Sequence, residues 1–322
     1  MKMHMVSALN SALKNSMKEN DKVMVLGEDV GVDGGVFRVS DGLINEFGEE
    51  RVVDTPLAEA GIVGGSVGLA LNGMVPICEI QFSGFSYQAF HHIKQHLARF
   101  RQRSHGTMTL PLVLRTPCAG GIRALEHHSE SPESFFIHCQ GIKVVMPSGP
   151  YDAKGLLATA VNDPNPVLFF EHKALYRSIR QEVPIDYFTL PFGKASLLRE
   201  GENVTIISYG AAVHWALETL DNNNDISADL IDLRSLQPLD TEAILNSVKK
   251  TGRAIILQED SLFGGIASDI SSMIMEQCFE YLDAPVKRVA SIDTPIPFIN
   301  QLEEQYLPKN RFESELKSLL AY

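Results

Sequence analysis

Near-continuous apolar runs, two to six residues long and alternating with helical patterns, constrain this chain more than any other feature. Lys22-Val23-Met24-Val25-Leu26, Val52-Val53, Val75 to Ile80, Leu112 to Arg115, Lys143 to Met146 and Val167 to Phe170 read as strands. Between them lie helical patterns over Met5 to Met17, Val39 to Phe47, Glu59 to Asn72, Phe85 to Arg103 and Tyr151 to Val161. Strands that are apolar on both faces belong to parallel sheets covered by helices on both sides. The rhythm breaks over residues 173 to 202, which carry charges, Pro184 and Pro191, and read as a surface connection. It then resumes with strands over Asn203 to Ser208, Ala228 to Leu233, Ala254 to Gln258 and Val286 to Val289. The intervening helices are Ala211 to Leu220, Asp240 to Val248 and Gly265 to Cys278. The expectation is an α/β chain with two open parallel-sheet domains, 1–180 and 201–322, joined by a linker over 181–200. Its 322 residues suit two cores better than one.

Charge and cysteine usage narrow the function classes. A net charge of −12 argues against nucleic acid and anionic membrane surfaces as partners. No apolar run reaches the length of a membrane span, and Met1-Lys2-Met3-His4-Met5 lacks a secretory core. Cys78, Cys118, Cys139 and Cys278 are far apart and form no C-x-x-C pair, so buried free thiols in a reducing cytoplasm are expected.

The most unusual helix is the one that follows Thr55-Pro56. Gly61, Gly64, Gly65 and Gly68 recur at spacings of three and four, although each glycine inside a helix costs about 1 kcal/mol against alanine. Something is therefore expected to approach that backbone closely. Glu59 stands in the first turn, where the helix dipole favours a carboxylate. It reads either as a solvated cap or as a carboxylate presented to a ligand.

Other stretches carry chemistry-bearing residues. Gly27-Glu28-Asp29-Val30-Gly31 is Gly-rich after a strand, but it has neither a G-x-G-x-x-G nor a G-K-[ST] pattern and is acidic, so it fails as a phosphate loop. Gln81 and Phe85 close a strand at the end where ligands of open α/β sheets collect, although Phe82 and Phe85 also suit a core. His127-His128-Ser129-Glu130-Ser131-Pro132-Glu133 makes a poor metal set, and reads as a surface histidine pair or as a catalytic loop. Ser131 suits an N-cap with Pro132 as first helical residue. Asn162-Asp163-Pro164-Asn165-Pro166 is a helix-ending turn.

Asp54-Thr55-Pro56-Leu57-Ala58-Glu59-Ala60-Gly61-Ile62 resembles the signature of the beta subunits of thiamine-diphosphate-dependent 2-oxo acid dehydrogenases. The resemblance spans both halves: the first is similar to the pyrimidine-binding domain of thiamine-diphosphate enzymes, the second to the C-terminal domain of the transketolase-like group. It implies that Glu59 hydrogen-bonds a ring nitrogen of the cofactor's aminopyrimidine, that Phe85 lies against that ring, and that Glu28 and Gln81 line the pocket. The histidine loop resembles that of branched-chain members, whose active-site histidine aligns with His128. His127 stands one residue off the usual spacing, which leaves either histidine as the one facing the substrate. The resemblance also implies a potassium ion near Leu112, Ala160, Val161, Asp163 and Asn165.

The Gly-Asp-Gly motif that holds magnesium in such enzymes is absent. The resemblance therefore implies a shared site, completed by an alpha subunit that carries magnesium and diphosphate in a heterotetramer of two alpha and two beta chains. A lipoyl acyltransferase core would receive the acyl group. Ile80-Gln81-Phe82 and the histidine loop lean towards a branched-chain 2-oxo acid, with pyruvate as the alternative. A non-catalytic scaffold chain and a homodimeric transketolase or deoxyxylulose phosphate synthase are the rivals.

Overall fold

The computed structural model describes all 322 residues, which divide into two compact units. The first comprises Met1–Ile122 and His127–Phe192, the second Arg123–Glu126 and Gly193–Tyr322.

The first unit begins with β1 (Lys2–His4), which runs into α1 (Met5–Glu19), capped by the His4 ring accepting from the Ser7 N–H. Its main sheet is built from β2 (Val23–Gly27), β3 (Val52–Asp54), β4 (Val75–Glu79), β5 (Val113–Cys118), β6 (Lys143–Val145) and β7 (Val167–His172). The order is β6-β7-β5-β4-β2-β3, and every pairing is parallel. All residues of β2, β4, β5 and β7 are buried. Their lack of polar alternation is thus explained by helices on both faces. Between β2 and β4 lie α2 (Leu43–Phe47) and α3 (Glu59–Leu71). Helix α1 packs along Pro150–Asn162.

The second unit holds a five-stranded sheet. Its strands are β9 (Ser196–Arg199), β10 (Val204–Ser208), β11 (Ala228–Asp232), β13 (Ala254–Ser261) and β14 (Lys287–Ser291), with the short strand β12 (Ser235–Gln237) elsewhere. The order is β14-β13-β10-β11-β9, parallel except for the antiparallel edge strand β9. Asp240 caps Thr241–Thr251 through the Ala243 N–H at 3.2 Å.

Three sequence expectations need correction. Residues 173 to 202 are not wholly irregular. They hold a helical turn, Leu175–Ser178, then β8 (Arg180–Glu182), which pairs antiparallel with β1, and then β9. These short exposed strands owe their form to partners far away in sequence, so local pattern gives no signal. The expected long helix over Phe85 to Arg103 is segmented into a 3-10 stretch, Ser83–Ala89, an α-turn, Phe90–His92, a π-turn, Ile93–Leu97, and a last turn, Phe100–Arg103. Finally, Lys309–Leu320 forms a helix that the strand-centred reading passed over. Phe312, Leu316 and Leu319 bury themselves against Val204, Ile206 and Leu257.

Candidate active site

The candidate residues gather at the carboxyl ends of β2, β3 and β4, the edge at which open α/β sheets bind ligands. Glu28 directly follows β2, and Glu59 opens α3 five residues after β3. Gln81 and Phe85 follow β4. The register places Gly27 opposite both Asp54 and Glu79, so these chain ends are neighbours.

Glu59 is not a solvated cap. Ala58 occupies the cap position and offers no side-chain bond, while Glu59 is 2 % exposed and its Oε2 has no hydrogen-bond partner. A buried carboxylate oxygen without a partner is expensive, and marks a place where a ligand donor belongs. Glu28 repeats the pattern, 6 % exposed with Oε1 unpartnered. Burial pushes its carboxyl above the usual range, reinforced by the negative charges of Glu59, Asp29 and Glu79. Two orphaned carboxylates that feel each other suit an ordered array of ligand N–H groups.

Gln81 is a strut. Its amide donates to the Asp29 carboxylate at 3.1 Å and approaches the Glu28 carbonyl at 3.5 Å, tying the end of β4 to the end of β2. Asp29 holds a left-handed backbone, φ 57°, which aspartate tolerates better than most residues. Phe85 stands edge-on to Phe82, centroids 5.9 Å apart, and both pack against the His128 ring, at 5.4 and 4.3 Å. Phe82 is therefore part of this aromatic wall, a role that its apolar character alone could not distinguish from core packing.

The histidine loop is not extended. Glu126–His128 forms one 3-10 turn, and the following helix is Glu133–Ile137, with Pro132 in the cap position that Ser131 was expected to fill. His127 is exposed, while the half-buried His128 meets the aromatic wall. Glu130 anchors the loop: its carbonyl accepts from Ser83 Oγ at 3.0 Å and from the Ala119 N–H at 2.7 Å. Its carboxylate accepts from Tyr87 at 2.6 Å. The approach is so close that a Cβ on Gly84 would lie 2.4 Å from the His127 carbonyl oxygen. That contact explains the glycine.

Below this edge lies a charge network that sequence reading missed. Arg115 is fully buried, donates through Nε and Nη2 to Glu171 at 2.8 and 2.7 Å, and pairs through Nη1 with Glu79. Tyr176 donates to Glu171 at 2.6 Å. Burial raises the Glu79 carboxyl, with Arg115 opposing the shift. A lone Arg in an apolar strand was the available signal, since a buried guanidinium requires carboxylate partners.

The glycine helix is only partly explained. The His92 ring lies 3.2 Å from where a Cβ on Gly64 would stand, but Gly65 and Gly68 face open space. The residues named for potassium do come together around the turn after Pro150–Asn162. The Leu112 carbonyl accepts from the Val167 N–H at 2.9 Å, and that of Ala160 from the Asp163 N–H at 3.2 Å. The Asp163 carboxylate is already held by Lys143 at 2.8 Å and by the Asn165 N–H at 2.9 Å, so only carbonyl lone pairs remain for a cation.

Comparison with known proteins agrees with this architecture. Residues 1–178 match the transketolase pyrimidine-binding domain, and residues 193–311 match the transketolase C-terminal domain. The chain is 49 % identical over 311 residues to the pyruvate dehydrogenase E1 component subunit beta of Bacillus subtilis (strain 168), covering 96 % of this chain and 95 % of that protein. It is 45 % identical over 324 residues to the 2-oxoisovalerate dehydrogenase subunit beta of the same organism, covering 99 % of each. A solved structure described as a split-gene transketolase, inactive beta4 tetramer, shares the fold at a TM-score of 0.80, with 23 % identity over 99 % of this chain and 98 % of that one. No helix is long and apolar enough to cross a membrane. With matches across both units, and two relatives that share almost its whole length, the chain belongs to the family of 2-oxo acid dehydrogenase E1 beta subunits.

Proposed function

We propose that this chain supplies the pyrimidine half of a thiamine-diphosphate site in an E1 component that decarboxylates a branched-chain 2-oxo acid and passes the acyl group to a lipoyl carrier. The observation that carries the reading is the buried, unpartnered Oε2 of Glu59 at the start of α3. Domains 1–180 and 201–322, with 181–200 between them, are the working units. An alpha subunit would complete the site with magnesium and the diphosphate pocket, in an assembly of two alpha and two beta chains. A lipoyl acyltransferase core is the acceptor, and the cytoplasm is the compartment that suits four buried free thiols.

When bound, thiamine diphosphate supplies the nucleophilic carbon and the electron sink for decarboxylation. Glu59, whose buried Oε2 has no protein partner, would hold the ring nitrogen of the cofactor by a hydrogen bond and carry the proton shared there, a general acid–base role. Glu28, whose carboxyl is raised by burial and by the charge of Glu59, would line the pocket beside it. Phe85, which stands edge-on to Phe82, would lie against the flat pyrimidine ring. His128, which packs against Phe82 and Phe85, would deliver a proton at the substrate oxygen or at the lipoyl sulfur. Potassium, held by the carbonyls of Leu112, Ala160 and neighbouring Val161, Asp163 and Asn165, would stiffen the turn.

The resemblance of Ile80-Gln81-Phe82 and of the His128-Ser129-Glu130-Ser131-Pro132-Glu133 loop to branched-chain members supports a branched-chain substrate. Pyruvate is the second reading, favoured by 49 % identity to a pyruvate dehydrogenase subunit. The deciding experiment combines the chain with an alpha partner carrying Gly-Asp-Gly and compares kcat/KM for 3-methyl-2-oxobutanoate and pyruvate. A higher value for the branched acid supports the proposal; a higher value for pyruvate replaces it with the second reading. Activity with neither acid refutes the catalytic reading in favour of a scaffold chain.

A further inference from the structure

Between Glu79 and Glu126 the sequence holds no acidic residue, in a chain whose net charge is −12. The same stretch carries Lys94, Arg99, Arg101, Arg103 and His91, His92 and His96. The π-turn Ile93–Leu97, closed by the Ala98 N–H on the Ile93 carbonyl at 3.0 Å, brings residues five apart onto one side. As a result the three imidazoles cluster. His91 and His92 are 5.6 Å apart, His91 and His96 5.5 Å, and His92 and His96 5.5 Å. His91 is exposed and the other two are half-buried.

The surroundings leave this cluster without a counter-charge. Helix α3, which packs beside it, carries no charged residue after Glu59. Arg103 adds positive potential at His96. Lys94 turns to the His138 carbonyl, Arg99 to Gln95 at 2.8 Å, and Arg101 to the Asn165 amide oxygen at 2.7 Å, so none meets a carboxylate. The His96 imidazole is held below its usual range by burial first, then by His92, His91 and Arg103. The rings stand edge-to-face at 84° and 78° for two pairs, and no group of three His, Cys, Asp or Glu is placed to hold a metal ion.

We propose that His91, His92, His96 and Arg103 form a docking patch for an acidic segment of a partner protein, engaged as its carboxylates draw protons onto the imidazoles. Charge complementarity selects the partner. The imidazoles are spread over more than 5 Å, which suits several carboxylates along a chain better than one phosphate. The overall acidity of the chain disfavours nucleic acid. Protonation adds positive charge to the patch, so it strengthens as pH falls, with His96, held below its usual range, charging only at lower pH.

The test uses the full chain and a fluorescently labelled hexaglutamate peptide, read by anisotropy at pH 6.0 and pH 8.0 at fixed ionic strength. Binding should be about tenfold tighter at pH 6.0. The triple substitution His91→Gln, His92→Gln, His96→Gln should remove that difference, and Arg103→Gln should weaken binding at both pH values. Should the triple variant melt early, the single change at exposed His91 serves in its place and should lessen the pH dependence. Equal affinity at the two pH values, or pH dependence that survives these histidine substitutions, overturns the proposal. Displacement of the peptide by inorganic phosphate, beyond that by chloride at matched ionic strength, would also overturn it, by showing a small-anion site.

Discussion

Replacing Arg115 by Met tests the charge network beneath the candidate site. The guanidinium is fully buried and makes three contacts, two to Glu171 and one to Glu79. Met fills most of the volume, so the loss is mainly that of charge. Two carboxylates then remain buried, with Tyr176 still donating to Glu171. Removing one partner from a buried ion pair costs roughly 3–5 kcal/mol. At about 2–4 °C per kcal/mol for a unit of this size, the melting temperature should fall by roughly 10 °C at pH 8. The sign of the pH dependence follows from Glu79, whose folded carboxyl is already raised by burial. A raised carboxyl favours the fold at low pH, and that contribution is lost as pH rises through the folded value. Without Arg115 the Glu79 carboxyl loses the charge that opposes its rise, so the deficit should shrink as pH is lowered towards 5. Calorimetric melts of Arg115→Met, and of the same variant with Glu79→Gln and Glu171→Gln added, read both effects. The triple variant should recover most of the loss. A deficit that is equal at pH 5 and pH 8, or that the two Gln substitutions leave unchanged, would refute the charge argument and leave packing as the cause.

Three further outcomes are expected. In the assembled enzyme Glu59→Gln should slow hydrogen–deuterium exchange at the thiazolium carbon roughly 10²–10⁴-fold, with the melting temperature nearly unchanged; a wild-type exchange rate would remove Glu59 from proton transfer. His128→Ala should abolish lipoyl acylation, read by mass spectrometry, and reduce decarboxylation less, whereas His127→Ala should change little because that ring is exposed and off the aromatic wall. Ala119 holds φ 72°, a left-handed strain of about 1–2 kcal/mol, so Ala119→Gly should gain about 0.5 kcal/mol net of added unfolded-state entropy, seen as a higher denaturant midpoint; a lower midpoint would show that the methyl group packs usefully.

The parallel sheets were legible because strands buried on both faces leave apolar runs such as Val23 to Leu26 and Val167 to Phe170, which no surface element tolerates. Helix ends were less legible. The Phe85 to Arg103 pattern is continuous in sequence, and its breaks, the 3-10 stretch over Ser83–Ala89 and the π-turn over Ile93–Leu97, are invisible to periodicity. The pairing of β1 with β8 likewise joins residues about 180 apart. For the site, residue type at strand ends was enough to nominate Glu28, Glu59, Gln81 and Phe85. The burial and unpartnered oxygen of Glu59 were not readable, since a carboxylate in a first helical turn looks like an ordinary cap. Phe82 and the Arg115 network were missed because aromatic wall and core, or lone Arg and surface Arg, carry the same letters. The Lys309–Leu320 helix, with Phe312, Leu316, Leu319 and Leu320 at helical spacing, carried a signal that the strand-centred reading left unused.

The central claim is that this chain carries half of a cofactor site: Glu59 and the aromatic wall are present, and the Gly-Asp-Gly magnesium motif is not. Titration calorimetry of thiamine diphosphate with magnesium, first into the isolated chain and then into its complex with an alpha partner, tests it most directly. The account predicts no measurable binding to the isolated chain, and magnesium-dependent binding to the complex that Glu59→Gln weakens. Tight, magnesium-dependent binding to the isolated chain would contradict it.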